Sequence, residues 1–493
     1  MVIILFTRIW NALIGIILVP IYIRLIGVES YGLVAFYTTL AGTLVILDVG
    51  LSASITRQVA ILNTEKDKAK DLNDLVFTVE VINWIIAICV GLLIVLFSGL
   101  IATHWVSAKS LSVASIKQSI ILMGVIFAVQ FPSSVYEGAM VGLQKQTTSA
   151  ILIFFYSTVK AIGAIAILKF VAPTIESYFI WQAVTTLLLT FSMRIYVRRK
   201  IAREKPKAVF SIVQLKTIWR FAAGITGIAL VSFFITQIDK IVVSRNLVQL
   251  SYYSLAFLLA GGITAVVSPM QSIIYPKLTQ TVATNNNRGL IELFHKYCKW
   301  VSIIVFPLGL VLIFFANEIL ILWTKNITLT NETAPILQVV VAGTLFNCMM
   351  IVPYFITLAK GNTKYGLYQN IIAAIVLVPL LFWFFSKYGA LGAAMAWLIV
   401  NAGIIIISIP VFHNIYFKNE IWNWFKNDVF VPLLVGGVLA LSAKYFQKHF
   451  INNLTIISFS LIMAFISVCY LLIITETRDY FKNIILTFKK SGQ

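Results

Sequence analysis

Lys160 stands in the middle of a long apolar run, residues 148–169. By helical rise it lies ~16 Å into that run, near the centre of a bilayer. An ammonium there costs a few kcal/mol or more unless water or an anion faces it. Its four-carbon stem does not easily reach an interface from the midplane. This spacing puts Lys160 in a wet cavity, where a passing phosphate supplies the opposite charge. The competing reading is a structural pair with Asp48, Glu80 or Glu137. Arg8 is the second cation within an apolar run, with Asn11 one turn on along the same face. A guanidinium binds two phosphate oxygens at once, so Arg8 and Asn11 join Lys160 as candidate anion ligands. For Arg8 the alternative is an arginine near the inner surface.

Those residues need a membrane fold to hold them. The chain has 493 residues, 60% of them hydrophobic and 11% charged, with a mean hydropathy of +0.94. A water-soluble domain cannot bury that much apolar surface, so the solvent is mostly lipid. Lipid forces the backbone to satisfy its own hydrogen bonds, and runs about twenty residues long read as helices rather than barrel strands. The fold class is an all-α polytopic membrane protein. Fourteen spans are expected: 2–23, 31–54, 76–101, 116–140, 148–169, 173–193, 221–244, 250–275, 297–317, 334–358, 365–386, 389–412, 429–446 and 453–475.

The charge sorts by side. Of 38 Lys and Arg, 26 fall in alternate loops and the two termini's side, against 10 in the opposite loops. The positive-inside rule then puts both termini and the 194–220 linker in the cytoplasm. That linker is read as an orientation signal touching anionic headgroups, and nucleic acid is not an expected partner. The loops on the other side are short, which leaves no room for a folded extracytoplasmic domain.

A direct repeat organises the spans. Arg24 to Phe36, RLIGVESYGLVAF, returns as Arg245 to Phe257, RNLVQLSYYSLAF. Arg24/Arg245, Ser30/Ser251, Tyr31/Tyr252, Ala35/Ala256 and Phe36/Phe257 are identical. Two matched bundles are the arrangement of an alternating-access transporter. The expected division is residues 1–202, 203–415 and an added 416–493. Charges at span ends are candidate gates. Asp48, Arg57 and Glu137 stand at the inner side, and Asp239 and Lys240 at the outer, with Arg24 in the matching place of the first half. Neutral amides inside spans, among them Gln130, Gln182, Asn347 and Asn401, fit helix contacts or sugar hydroxyls equally. Asn347 and Arg24 are kept as candidate substrate ligands.

No enzyme site is visible. His104, His295, His413 and His449 have no ligand spacing, the four cysteines lie singly, and there is no Walker loop. No cofactor is expected.

Four stretches carry a resemblance: VPIYIRLIGVESYGLVAF (Val19 to Phe36), LDVGLSASITRQVA (Leu47 to Ala60), QIDKIVVSRNLVQLSYYSLAF (Gln237 to Phe257) and YGALGAAMAWLI (Tyr388 to Ile399). Together and in this order the chain resembles the O-antigen type of oligosaccharide flippase, in the multidrug/oligosaccharidyl-lipid/polysaccharide exporter superfamily. The resemblance covers residues 1–415 or so. It implies two six-helix lobes flanking a cavity open alternately to either side. It also implies an undecaprenyl-diphosphate-linked oligosaccharide as cargo, carried to the periplasmic leaflet of a bacterial inner membrane. Expected partners are that lipid-linked oligosaccharide, membrane lipids, and the O-antigen polymerase with its chain-length machinery. The chain departs from the pattern in its short start before Arg8 and in spans 13 and 14. Two rivals are a cation-coupled drug exporter of the same superfamily, which would want carboxylates inside its spans, and a membrane glycan polymerase or glycosyltransferase.

Overall fold

The computed structural model of the chain describes residues 2–48, 50–64, 68–201, 208–216, 233, 235–450 and 466. Among them nearly everything is helical and there is no β-strand, only an isolated bridge between Ser107 and Asn246. Ten of the described helices are long and apolar enough to cross a membrane. The chain forms two compact units, Met1–Ser251 and Tyr252–Gln493.

The first unit contains α1 (Val2–Ile26), α2 (Val28–Leu44), α3 (Leu51–Leu62), α4 (Ala69–Leu100), α5 (Val113–Gln130), α6 (Ser133–Gly142), α7 (Gln146–Phe170), α8 (Ile175–Ile201) and α9 (Ile238–Val243). Local chemistry sets the boundaries. Ser112, in extended geometry, accepts from the Ser115 amide and starts α5. Gly27, at φ +83, turns the chain between α1 and α2. Along α4 the side chains of Ile88, Leu92 and Leu96 are exposed, as a lipid-facing stripe requires.

In the first unit two expected spans prove to be broken. The run 31–54 ends as α2 at Leu44, passes a 3-10 turn at Val45–Asp48 and the left-handed Gly50, and restarts as α3. The run 116–140 stops at Gln130 and resumes at Ser133. Pro132 has no amide hydrogen to continue the ladder, and Gly50 takes a φ of +64 that other residues avoid. The paired fragments then lie against each other: a Cβ on Gly138 would sit 2.7 Å from the Ser52 carbonyl oxygen, and one on Gly142 2.7 Å from that of Thr56. Around them Ile55, Val59, Val79, Tyr136, Met193 and Val197 form a sealed core.

Helix α10 (Leu247–Ala283) runs from the first unit into the second and carries Pro269 and Pro276. The second unit continues with α11 (Asn287–Phe314), α12 (Ala316–Thr324), α13 (Ile327–Met349), α14 (Ile351–Ala359), α15 (Thr363–Tyr416) and α16 (Val431–Phe450). The expected run 334–358 is likewise broken, at Met350 between α13 and α14. Within α15, Gly389 is non-helical (φ 57, ψ −137), between the runs expected at 365–386 and 389–412. Segment 417–430 joins α15 to α16 and includes a π-turn, Trp424–Phe430. Most of the expected run 221–244, and all of 453–475 but Ile466, lie outside the described residues.

Candidate functional site

Helix α7 lies between α1 and α8 in the first unit, and polar side chains line both seams. On the α1 side, the Ser157 hydroxyl donates to Asn11 Oδ1 at 2.6 Å. Trp10 Nε1 donates to Thr158 Oγ1 at 2.8 Å, and the Tyr22 hydroxyl donates to the Ala161 carbonyl at 2.9 Å. On the α8 side, Trp181 Nε1 donates to the Lys160 carbonyl at 3.1 Å. Gly163 makes room for that indole, since a Cβ there would lie 2.3 Å from a ring atom.

Lys160 is half-buried in the middle of α7, ~15 Å by rise from Phe170 and ~21 Å from Gln146. Its Nζ donates to Thr186 Oγ1 at 3.4 Å. No carboxylate among the described residues lies within ion-pair distance of it. The alternative of a structural pair with Asp48, Glu80 or Glu137 is therefore not what forms. Gln182, on the same helix as Thr186, is buried. Tyr22, Tyr178, Phe179 and Tyr37 make an aromatic wall through edge-on contacts at 5.5 to 6.1 Å. The Tyr37 hydroxyl donates to Gln130 Oε1. A mid-span ammonium beside hydroxyls and aromatic faces is suited to an anionic, sugar-bearing ligand.

The carboxylate of Glu80 is engaged elsewhere. Arg194 Nε donates to its Oε1 at 2.6 Å and Arg198 Nη2 to its Oε2. The Tyr136 hydroxyl also donates to Oε1, at 2.9 Å, and accepts from Trp84 Nε1 at 3.0 Å. Arg198 stands over the Phe77 ring, 5.1 Å from its centroid, and reaches Asn73 Oδ1 at 3.4 Å. Sequence reasoning missed this cluster, because it counted Arg194 and Arg198 as linker charge. The available signal was their i, i+4 spacing, which puts both on one face of α8. The linker itself is tied to α4: the Val209 amide donates to Asp74 Oδ1 at 2.8 Å and the Ser211 amide to Thr78 Oγ1 at 2.9 Å.

The other candidates are scattered. The side chain of Arg8 lies outside the described residues. Arg24 is exposed in the last turn of α1. Asp48 accepts from the Ser52 hydroxyl at 2.6 Å, the Ser52 amide at 3.2 Å and the Ser134 hydroxyl at 3.3 Å, so it ties the start of α3 to that of α6. Arg57 on α3 and Glu137 on α6 are both exposed. Asp239 is buried on α9, and Lys240 Nζ donates to the Thr236 carbonyl at 2.9 Å. In the second unit Asn347 Nδ2 donates to Asn401 Oδ1 at 2.9 Å.

A further cluster, also unforeseen, closes the opposite end of the first unit. Glu29 is buried and accepts from the Ser110 amide at 2.7 Å, the Ser110 hydroxyl and the Lys109 amide. Burial alone would push its carboxyl up, but the Ser110 hydroxyl and the amides of Lys109, Ser110 and Leu111 outweigh it and hold the group below its ordinary value.

Known proteins share this fold and resemble the chain distantly in sequence. A lipid II flippase MurJ in an inward closed conformation superposes with a TM-score of 0.72 at 17% identity, covering 98% of this chain and 99% of that one. An inward-facing MATE multidrug-resistance transporter of the MOP superfamily matches with a TM-score of 0.65 at 12% identity, over 90% and 96%. A candidate O-antigen transporter of Shigella flexneri is 21% identical over 400 residues, covering 76% of this chain and 87% of its own. The succinoglycan biosynthesis transport protein ExoT of Rhizobium meliloti is 21% identical over 452 residues, covering 88% and 83%. A family model, polysaccharide biosynthesis protein, matches residues 1–282, more than half of the sequence, and with that match the chain belongs to the polysaccharide biosynthesis protein family.

Proposed function

We propose that this chain is a flippase that moves a diphosphate-linked oligosaccharide on a polyprenyl carrier across a bacterial inner membrane, from the cytoplasmic to the periplasmic leaflet. The observation that carries the reading is Lys160: a half-buried cation at mid-span whose partner is a neutral hydroxyl rather than a carboxylate. Such a charge is stabilised by an anion that comes and goes, and a diphosphate headgroup is one. Asn11 and Gln182 on the flanking helices, and Ser157 on α7 itself, supply amides and a hydroxyl of the kind sugars bind. Relatives named for O-antigen and succinoglycan transport support a polysaccharide cargo.

Fourteen spans, cytoplasmic termini and lobes 1–202 and 203–415 that rock in alternating access complete the proposal, with 416–493 an addition. Arg8, Asn11, Arg24, Lys160 and Asn347 are assigned to the cargo. Asp48, Arg57, Glu137, Asp239 and Lys240 are assigned to opening and closing. An inside-negative potential favours outward movement of the headgroup by ~2.3 kcal/mol per charge per 100 mV. A drug exporter is less well supported, because the mid-span charge at this site is positive and Glu80 is already held by two arginines.

The test is a reconstituted one. Purified protein in vesicles loaded with a fluorescent diphosphate-linked oligosaccharide lipid should raise the fraction reaching the opposite leaflet. Equal rates in protein-free vesicles would refute the proposal.

A further inference from the structure

The second unit holds a polar knot to which the proposed transport assigns no role. His295, in the third turn of α11, has a carboxylate on each ring nitrogen: Nδ1 is 2.5 Å from Asp428 Oδ2, and Nε2 is 3.1 Å from Glu420 Oε2. Both acids come from segment 417–430, more than 120 residues away in sequence. The π-turn Trp424–Phe430 turns Asp428 inward, where it is buried beside Trp424. Phe294, Phe412 and Phe417 close the knot from behind, with ring centroids 4.9 to 5.7 Å apart.

Hydrogen-bond bookkeeping fixes the charge. A carboxylate only accepts, and a neutral imidazole has a single N–H to give. Two carboxylates on two ring nitrogens therefore need the imidazolium. His413 shows the contrast nearby: its Nδ1 donates to the Ile409 carbonyl at 2.9 Å, and its buried Nε2 has no partner, as in a neutral ring.

We propose that His295, Glu420 and Asp428 form a proton-binding site that, while the proton is held, clasps segment 417–430 and the following helix α16 to α11. With the proton the trio carries a net charge of −1. Without it the charge is −2, and one nitrogen lone pair faces a carboxylate. Glu420 is the arm that lets go. It is the longer contact, and its side chain is 30% exposed against 2% for Asp428. Asn423 Nδ2 stands ready to keep it, donating at 3.0 Å. Glu420 lies in the connecting segment, outside the spans. The Asn423 amide, and after it the charge on His295, hold its carboxyl below the ordinary value against the opposing effect of burial. The imidazole is thus the group that titrates.

The other charged or titratable groups around the knot are few. Asn427 and Asn423 are neutral and bond each other. Lys418 and Lys426 lie on the same segment, and His413 and Tyr416 end α15. Arg288, Glu292, Lys296, Tyr297, Cys298 and Lys299 share α11, with the Lys296 ammonium over the Trp300 ring at 5.1 Å. On the packed face of α13 the group is Cys348. Described titratable groups of α16 begin at Lys444, ~20 Å along the helix from Val431. The two carboxylates sit on different ring nitrogens, so the three side chains do not converge on one point, and the ion that fits is a proton.

The proposal is independent of the flippase reading, and its test reads structure rather than transport. Full-length protein in lipid nanodiscs is followed by amide hydrogen exchange at pH about 6 and about 9, corrected for intrinsic rate, with His295→Gln beside it. Exchange in 417–423 should rise about tenfold with pH in the wild type and stay flat in His295→Gln. The same pH response in both proteins would overturn the site. If that variant does not fold, nitrogen-15 histidine NMR of the wild type still decides. At pH about 6.5 one histidine with both nitrogens protonated and carboxylate-bonded is expected; four neutral rings would overturn it.

Discussion

The ammonium of Lys160 stands 3.4 Å from the hydroxyl of Thr186, across the seam between α7 and α8. A hydroxyl solvates a cation without cancelling it, so the charge stays available to a ligand. Lys160→Ala should cut flipping of the diphosphate-linked lipid about tenfold to a hundredfold, the cost of one charged hydrogen bond. Elution and melting in detergent should be unchanged, and Lys160→Arg should keep part of the rate. Full activity in Lys160→Ala would take the residue out of the cargo site.

Thr186→Val tests the same pair from the other side. The proposal predicts a few-fold tighter apparent affinity with little change in maximal rate, because the methyl removes solvation from the resting ammonium and not from the anion-bound form. A loss as large as that of Lys160→Ala would make Thr186 a ligand in its own right, readable by comparing apparent affinity with maximal rate.

Glu80 is buried under two guanidiniums and a tyrosine hydroxyl. Glu80→Ala leaves Arg194 and Arg198 facing each other without a counter-charge. Removing one partner from a buried ionic group costs about 3 kcal/mol, and a fall in melting temperature of several degrees in detergent should follow. Arg194→Ala should cost less, since Arg194 is 43% exposed and Arg198 still holds the carboxylate.

Glu29 makes the loop 109–111 sensitive to acid. Its carboxyl is held below the ordinary value in the folded protein. The stabilisation is therefore complete above the usual glutamate range, about pH 4.3, and is lost as pH falls through the depressed value. Protease cleavage within 107–112 should rise on acidification below about pH 4 in the wild type. Glu29→Gln should be cleaved to a similar extent at every pH.

Much of this was legible in the sequence, for reasons that differ by element. Apolar runs about twenty residues long fix helices, because lipid leaves the backbone only helices or closed barrels and barrel strands are about half that length and alternate. Lys160 was legible because one charge in such a run is conspicuous. The breaks at Gly50 and Pro132 were written as LDVGLS and QFPSS, yet hydropathy averages across a two-residue corner and reports one span. Pairings between distant residues were not legible at all. Glu80 meets Arg194 and Arg198 across 114 and 118 positions, and His295 meets Asp428 across 133. Only the packing of helices decides such meetings.

The contact of α3 with α6 reaches further than its size suggests. Where glycine brings the facing backbone and the side chains of Ile55 and Val59 this close, as at Gly138 and Gly142, little room is left for the helices to slide. The two short helices then behave as one stiff paddle, hung from the spans above by a pair of corners at Gly50 and Pro132. Whatever swings one corner must swing the other, and a methyl group added at Gly138 would jam the pair without touching any charge in the protein.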